Sequence, residues 1–359
     1  MFDEPDAEGY LFQGITTVVD GNDGSSPLPL APYMDKASSA RFSPNLALFI
    51  GLGTVREAVM GTANRFATAA ELQRMERLVA QAMDDGALGL STGLAYVPGT
   101  YSSTEEVIAL ARVAREHGGI YVSHMRDEGG RVLDSVRETI RIGEEARIPA
   151  QISHHEVGGR RQFGQSVQSL ALIEAARARG VDITFDQYPY TASQTGLSLI
   201  FPRWALADDK LQSRLADPSS RREVKAGMLE FIDERFGDDP ARIQLVRCGF
   251  DPSLAGKTIA DLLTAAHQPF TQSAMADVMI ELQLKRSCSA IFHAYDEADV
   301  ERLMRSPFGM IGSDGSLTRP GDGVRFVVVN GQVVVDGGAH TGTRPGRVLR
   351  GPAWRAAHP

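Results

Sequence analysis

Histidines stand at the ends of two short apolar segments in this 359-residue chain. His124 follows Tyr121-Val122-Ser123, and His154 and His155 follow Gln151-Ile152-Ser153. A packed core would place aliphatic residues at such positions, so two Ser-His pairs separated by one helical segment favour chemistry over packing. Imidazole together with carboxylate suits a borderline divalent metal, zinc above all, which activates water when one coordination position stays open. We therefore predict that His124 and His154 are metal ligands.

Two aspartates could complete such a site. We predict Asp23 as a third ligand and Asp314 as the base that accepts a proton from the attacking water. Both precede glycine, and because Asp-Gly is a common turn sequence, a structural role stays open for each of them. Arg126, Tyr190 and His155 are predicted as substrate contacts. The expected cofactor is zinc, as one ion or two.

These side chains need a scaffold that brings the ends of strands together. Over the first 190 residues, short β-branched segments alternate with helical patterns, which is typical of a parallel sheet with crossover helices. In a closed barrel of such strands, functional residues gather at the carboxyl ends of the strands. The segments are so apolar that none is expected to be an exposed edge strand. The predicted strands are 15–19, 46–50, 87–91, 120–123, 150–153, 181–185 and 310–313.

Helix boundaries and turns divide the chain further. Thr68-x-x-Glu71 and Ser103-x-x-Glu106 predict helix N-termini. Residues 197–285 break the alternation and are predicted as a mainly helical insertion with one strand at 243–246. An Asn330-Gly331 turn between two valine-rich segments predicts a β-hairpin. We expect a barrel over residues 1–320 and a small β element with a tail over residues 321–359.

Composition limits the partners. The net charge is −8, and no long basic segment is present, so neither nucleic acid nor an anionic membrane is expected as a partner. Cys248 and Cys288 lack CxxC spacing and are expected to be buried free thiols in a reducing compartment. No signal-peptide pattern or long apolar segment is present. These features predict a cytoplasmic protein that acts on a small-molecule substrate.

Several motifs spread over most of the chain resemble the amidohydrolase superfamily and, within it, the N-acyl-D-amino-acid deacylase family, also called D-aminoacylases. The motifs carry the predicted strand-end residues and their neighbours. They are Gln13 to Val19, Leu88 to Leu94, Tyr96 to Gly99, Ser123 to Glu128, Gln151 to His155, Asp186 to Ala192, Ile311 to Gly315 and Val329 to Gly331.

This resemblance implies an α/β fold, a TIM-type (β/α)8 barrel with a small β-sandwich. It implies zinc held by strand-end histidines and hydrolysis of the acyl group from an N-acyl-D-amino acid. His124 and His154 fall on two ligand positions of the family, and Asp314 falls on its catalytic aspartate.

The chain departs from the family pattern at four places. The family's first strand carries His-x-His, but no histidine precedes His117 here. Asp23 occupies the position of a metal-bridging cysteine, and a carboxylate is a harder donor than a thiolate. Glu156 stands where the family often has a basic residue. The segment between Asp314 and the hairpin is short, so we expect an incomplete barrel with a remnant of the β-sandwich, and a second copy of the chain is a candidate partner to cover its open edges.

Two other functions stay open. A chain without His-x-His could be a catalytically silent paralogue that retains the fold. A hydrolase of cyclic amides, of the dihydroorotase type, would share the barrel and the ligands. The Leu88 to Gly93 segment and Tyr188-Pro189-Tyr190 favour the deacylase.

Overall fold

The structure is a computed structural model that describes residues 1–285, 288–315 and 324–358. The strands are β1 (Thr17–Asp20), β2 (Asn45–Leu48), β3 (Ile50–Gly51), β4 (Gly89–Gly93), β5 (Ile120–His124), β6 (Ala150–Ile152), β7 (Ile183–Gln187), β8 (Ser193–Gly196), β9 (Ile243–Cys248), β10 (Cys288–Phe292), β11 (Gly309–Ile311), β12 (Phe326–Val329), β13 (Gln332–Asp336) and β14 (Ala339–His340). The helices are α1 (Glu8–Leu11), α2 (Leu30–Ala40), α3 (Leu52–Met60), α4 (Ala69–Asp85), α5 (Thr104–Glu116), α6 (Val132–Ala146), α7 (Ser166–Ala178), α8 (Arg203–Leu206), α9 (Leu211–Ala216), α10 (Pro218–Arg235), α11 (Ile259–Ala265), α12 (Gln272–Lys285), α13 (Glu297–Met304) and α14 (Pro352–Ala357).

The central sheet is parallel and follows the predicted α/β alternation. Its strand order is β11-β7-β6-β5-β4-β3, and a second parallel pair joins β1 to β2. Only Phe49 separates β2 from β3, so the two sheets continue one another as seven consecutive positions of a barrel. Helices α3 to α7 and α13 bury their apolar faces against this sheet. The prediction of an incomplete TIM-type barrel built from seven strands is confirmed.

The expectation that no barrel strand is an exposed edge is wrong for β1 and β11. No pairing joins these two strands among the described residues, so each presents an edge to a groove between them. Ile311 is 65% exposed, Met310 45% and Val19 40%. An apolar sequence therefore did not guarantee burial, because burial of a strand edge depends on a neighbouring strand.

The helices begin where the local sequence predicts. Thr68 and Glu71 form a reciprocal capping box, and the Ser103 side chain accepts a hydrogen bond from the backbone of Glu106. The Glu106 carboxylate turns away from this cap and pairs with Arg56 at 2.6 Å, with both side chains buried. This ion pair ties α3 to α5 beneath the barrel wall.

The insertion contains more β structure than predicted, and its sheet includes strands on both sides of the predicted bounds, 197–285. Strands β8, β10 and β9 form an antiparallel sheet, and helices α8 to α12 cover it with a hydrophobic core of its own. The expectation of free thiols is wrong, because Cys248 and Cys288 form a disulfide. Both cysteines are buried as expected, but the register of β9 and β10 places them opposite each other, 40 residues apart in sequence. Such a register is a long-range property that cysteine spacing does not reveal.

The C-terminal hairpin forms as predicted. Asn330 and Gly331 have φ angles of 49° and 80°, which suits the turn that joins β12 to β13. Strand β14 adds a third strand, and the hairpin packs against Leu11 near the N-terminus. The chain then returns to the barrel, where Val348 bridges to Leu46. Among the described residues, no helix has both the length and the apolar character needed to cross a membrane.

Candidate metal centre and active site

Asp23, His124 and His154 converge at the carboxyl end of the barrel strands. His124 Nδ1 lies 2.9 Å from His154 Nε2, and the two Asp23 carboxylate oxygens lie 3.7 Å from His124 Nδ1 and 3.5 Å from His154 Nε2. A tetrahedral zinc ion with bonds of about 2.0–2.1 Å would hold its ligand atoms roughly 3.3 Å apart. The three observed distances bracket that value, so the cluster suits one metal ion.

Asp23 is held by the loop that follows β1. The Ser91 hydroxyl, from β4, donates to the carbonyl of Gly21 at 2.5 Å and accepts from the backbone of Gly24 at 3.2 Å. Gly24 approaches β4 so closely that a Cβ there would lie 2.6 Å from the Gly93 nitrogen. Only glycine fits this approach, which presses the Asp23 loop onto the barrel rim.

The two histidines come from adjacent strands. His124 is the last residue of β5, and His154 follows β6, where its backbone donates to the Asp186 carboxylate at 2.8 Å. Asp23, His154 and Asp314 have φ angles of 53°, 32° and 51°, in the left-handed region that such residues rarely adopt. Strained backbone of this kind concentrates at functional sites, where the surrounding structure imposes it.

Two glutamates extend the cluster on the cavity side. Glu128, Glu156 and His154 place one potential ligand atom each within 4.8 Å of one another. Glu128 Oε1 lies 3.1 Å from His154 Nδ1, yet neither atom has a hydrogen bond of acceptable geometry in the described part of the chain. Asp23 Oδ1 and Glu156 Oε1 are also buried without a hydrogen-bond partner. Because orphaned buried acceptors are costly, this arrangement fits a site that receives a cation.

The electrostatics of the cluster lead to the same conclusion. Burial lowers the pKa of His124, which keeps its imidazole neutral and able to bind metal. Burial also disfavours charge on His154, but Asp23 and Glu128 outweigh this effect and raise its pKa well above the usual value. In the metal-free chain, a protonated His154 thus supplies the positive charge that these two carboxylates require. A metal ion would take over that role on displacing the proton.

Glu156 has a different character from Glu128. Burial and the nearby Glu128 raise the pKa of Glu156 well above its usual range, which favours its neutral form. The Tyr295 hydroxyl lies beside it, and burial together with Glu156 raises the pKa of Tyr295. Beside His154, the surroundings thus favour the carboxylate form of Glu128 and the neutral form of Glu156.

Asp314 follows β11 and lies on the opposite side of the cluster. It lines the groove between β11 and β1 together with Asp23 and Asp186. Although the residue is open to this groove, desolvation of its carboxyl, with the nearby Asp23, Glu128 and Asp186 carboxylates, raises its pKa to about 6. A carboxyl with that pKa can both accept and release a proton near neutrality.

The structure distributes the predicted substrate contacts differently. Arg126 lines the cavity, but its guanidinium makes a bidentate pair with Glu138 at 2.9 Å. His155 is fully buried in the barrel wall, where Nε2 lies 3.0 Å from the Ser169 hydroxyl, and burial lowers its pKa to about 4. Tyr190 is 44% exposed in the groove beside Asp314 rather than in the cavity. Their roles as substrate contacts stay predictions.

A cavity of about 580 Å³ opens onto His124, His154 and Glu128. The insertion forms the far wall of this cavity, and its contribution could not be foreseen from the sequence. Glu128 could have been found, since it lies four residues after His124 in a quoted motif. Further lining residues that sequence reasoning missed are Tyr96, Arg203, Arg235 and Tyr295.

The chain is similar in sequence and fold to known deacylases. The chain is 36% identical to a D-aminoacylase of Alcaligenes xylosoxydans xylosoxydans over 328 residues, which is 85% of this chain and 59% of that protein. A crystal structure of D-aminoacylase, described as defining a novel subset of amidohydrolases, matches with a TM-score of 0.77 and 28% identity, over 97% of this chain and 85% of that one.

A further structure is that of N-acyl-D-glutamate deacylase from Bordetella bronchiseptica, complexed with zinc and a phosphonate inhibitor that mimics the tetrahedral intermediate. It matches with a TM-score of 0.69 and 29% identity, over 87% of this chain and 61% of that one. No family model matches the chain. The chain spans about three fifths of the length of the D-aminoacylase that it matches in sequence.

Proposed function

Because the chain belongs to the N-acyl-D-amino-acid deacylase family of amidohydrolases, we propose that it hydrolyses the amide bond of N-acyl-D-amino acids with a bound zinc ion. The observation that carries this proposal is the convergence of Asp23, His124 and His154 at ligand distances in the barrel mouth. The chain covers only part of its curated relatives, so the activity is proposed rather than transferred from them.

Asp23, His124 and His154 would hold the metal. When bound, a divalent ion in such a site supplies an acidified water and polarises the carbonyl of the substrate. The buried carboxylate oxygens of Asp23 and Glu128 favour this assignment, since they have no hydrogen-bond partner in the described part of the chain and a bound cation would satisfy them.

Asp314 is assigned the proton transfer. At its pKa of about 6 it is largely ionised at neutral pH, so it can accept the proton of the water that attacks the carbonyl. Returned to the departing nitrogen, the same proton completes hydrolysis. Asp186 is a positioning residue, because its carboxylate accepts hydrogen bonds from the backbone of His154 and from the side chain of Gln151. These contacts hold His154 in its strained conformation.

The test is hydrolysis of a panel that contains N-acetyl-D-amino acids, their L enantiomers, dihydroorotate and hydantoin, using protein loaded with zinc. We expect release of free D-amino acid, and loss of both zinc and activity in His154→Ala. Cleavage of the cyclic amides alone would favour the dihydroorotase type. A folded protein that cleaves none of these compounds would favour the silent paralogue.

A second copy of the chain is proposed to cover the exposed edges of β1 and β11. The exposure of Val19, Met310 and Ile311 supports this proposal, because an unpaired apolar strand edge favours association. Light scattering coupled to gel filtration should give a mass above that of one chain, and Ile311→Lys should restore the monomer. A monomeric wild-type protein would contradict the proposal.

A cytoplasmic location stays a prediction. The bonded pair Cys248–Cys288 is the feature that bears on it, because disulfides persist mainly in oxidising compartments. Counting free thiols in protein rapidly alkylated in the cell tests the location. Two free thiols per chain would agree with the cytoplasm, and none would place the protein elsewhere.

A further inference from the structure

Four arginines line the cavity in front of the metal cluster, and their partners differ. Three of them are paired with carboxylates. These are Arg126 with Glu138 at 2.9 Å, Arg131 with Asp134 at 3.6 Å, and Arg235 with Asp127 at 3.5 Å and Glu234 at 3.6 Å. The fourth, Arg203, has no carboxylate within 4.0 Å in the residues that the structure describes. Its one hydrogen bond there from the side chain runs to the carbonyl of Leu199 at 3.2 Å.

The backbone of Arg203 is anchored at the cavity wall. The Tyr101 hydroxyl, from the loop after β4, donates to the Arg203 carbonyl at 2.5 Å. The preceding Pro202 packs so closely on α10 that a Cβ at Gly227 would lie 2.4 Å from its ring. One contact thus fixes the Arg203 backbone to the barrel and the other fixes the neighbouring residue to α10 within the insertion, so the side chain extends from an anchored backbone.

The charge of Arg203 influences the pKa of a residue in the metal cluster. Its guanidinium contributes to lowering the pKa of His124, although burial of that imidazole is the larger cause. Burial also lowers the pKa of Arg203 itself, although the charges of Tyr96 and Asp127 act in the opposite direction. A partly desolvated guanidinium without a carboxylate partner is a site prepared for an anion, because its planar fork matches a carboxylate in two hydrogen bonds.

The opposite wall of the cavity has the reverse character. Glu128 lies beside His154, so a substrate carboxylate would be repelled on that side. The cavity is therefore polarised, with acidic groups at the cluster and an unpaired cation on the insertion. This polarity favours a substrate orientation in which the carboxylate lies towards the insertion.

We propose that Arg203 is the residue that binds the carboxylate of the substrate and so selects N-acyl amino acids that have a free carboxylate. The inference rests on the proposed function, because it assumes that the cavity takes the substrate. It assigns to the insertion, rather than to the barrel strands, the recognition of the charged end of the substrate.

The test compares wild type with Arg203→Met, Arg203→Lys and the control Arg305→Met, whose side chain is 78% exposed on α13 and pairs with Glu301. Binding of N-acetyl-D-leucine and of its neutral amide, N-acetyl-D-leucinamide, is measured by calorimetry in a His154→Ala background, where no hydrolysis is expected. Hydrolysis is measured separately in proteins that retain His154. This separation distinguishes failure of the subsite from failure of the proposed function.

We expect Arg203→Met to weaken binding of the carboxylate by roughly 30-fold or more, and to change binding of the amide less than threefold. Arg203→Lys should recover part of the loss, because it keeps the charge without the fork. The melting temperature of the metal-free Arg203→Met protein should not fall, since an unpaired cation has been removed. Equal losses for acid and amide, or no loss either in this pair or in the glutamate and glutamine pair described next, would overturn the proposal.

A second pair of ligands identifies which carboxylate is bound. If N-acetyl-D-glutamate loses affinity in Arg203→Met relative to N-acetyl-D-glutamine, while leucine and leucinamide derivatives are unaffected, Arg203 reads an acidic side chain. If the leucine pair also separates, it reads the α-carboxylate. Either result supports the subsite, and a selective binding loss without any hydrolysis in wild type would leave the subsite standing while refuting the deacylase activity.

Discussion

His124→Ala is the substitution that best tests the metal centre. His124 contributes a neutral imidazole to a cluster whose three donor separations, 2.9, 3.5 and 3.7 Å, bracket the edge of a zinc tetrahedron. Structural zinc in four-ligand sites is bound with about 10–16 kcal/mol, or roughly 3 kcal/mol per ligand. Removal of His124 should thus weaken zinc binding on the order of 100-fold. His154→Ala is less suited, because it would also leave Asp23 and Glu128 without their cationic partner.

Zinc affinity is measured by competition with a chromophoric chelator, and stoichiometry by inductively coupled plasma mass spectrometry on protein purified without chelator. The matched control is His293→Ala, which removes an exposed imidazole outside the cavity lining. Wild type and control should each bind one zinc ion or more per chain, and His124→Ala should lose zinc during dialysis. Affinity within threefold of wild type in His124→Ala would refute the assignment of this cluster as the metal site.

Three further predictions concern stability and pH. Arg56→Met should lower the free energy of unfolding by about 3–5 kcal/mol, because it leaves the buried Glu106 carboxylate unpaired; a loss below 1 kcal/mol in urea titration would contradict this. Reduction of the disulfide between Cys248 and Cys288 should cost about 4 kcal/mol, as expected for a loop of 40 residues, and equal melting temperatures with and without reductant would refute it. The value of kcat/KM should rise with pH as Asp314 loses its proton. The midpoint of this rise should lie at or below pH 6, because a bound cation lowers the pKa of Asp314 further. A midpoint above pH 7 would exclude Asp314 as the base.

Much of the barrel was predictable from local pattern. Seven short apolar segments separated by helical patterns favour a parallel sheet, since each segment can bury both faces only under crossover helices. The Asn330-Gly331 turn likewise specified its hairpin without tertiary information. The strand bounds shifted by at most two residues, which leaves the convergence of strand ends intact.

Asp23, His124 and His154 were identifiable for the same reason. The carboxyl ends of parallel strands meet at one face of a barrel, so residue type at a strand end carries information about a site. Glu128, four residues beyond His124, lies in the same cluster, but the sequence analysis did not identify it.

The partners of the remaining side chains were decided by tertiary structure alone. Arg126 is engaged by Glu138, the register of β9 and β10 brings Cys248 to Cys288, and Arg203 reaches the cavity on an insertion folded back over the barrel. Each depends on segments that are distant in sequence and brought within a few ångströms by packing. Local pattern sets which elements form and which residues end them, whereas the choice of partner for a charge or a thiol follows from distances that exist only once the elements have packed together.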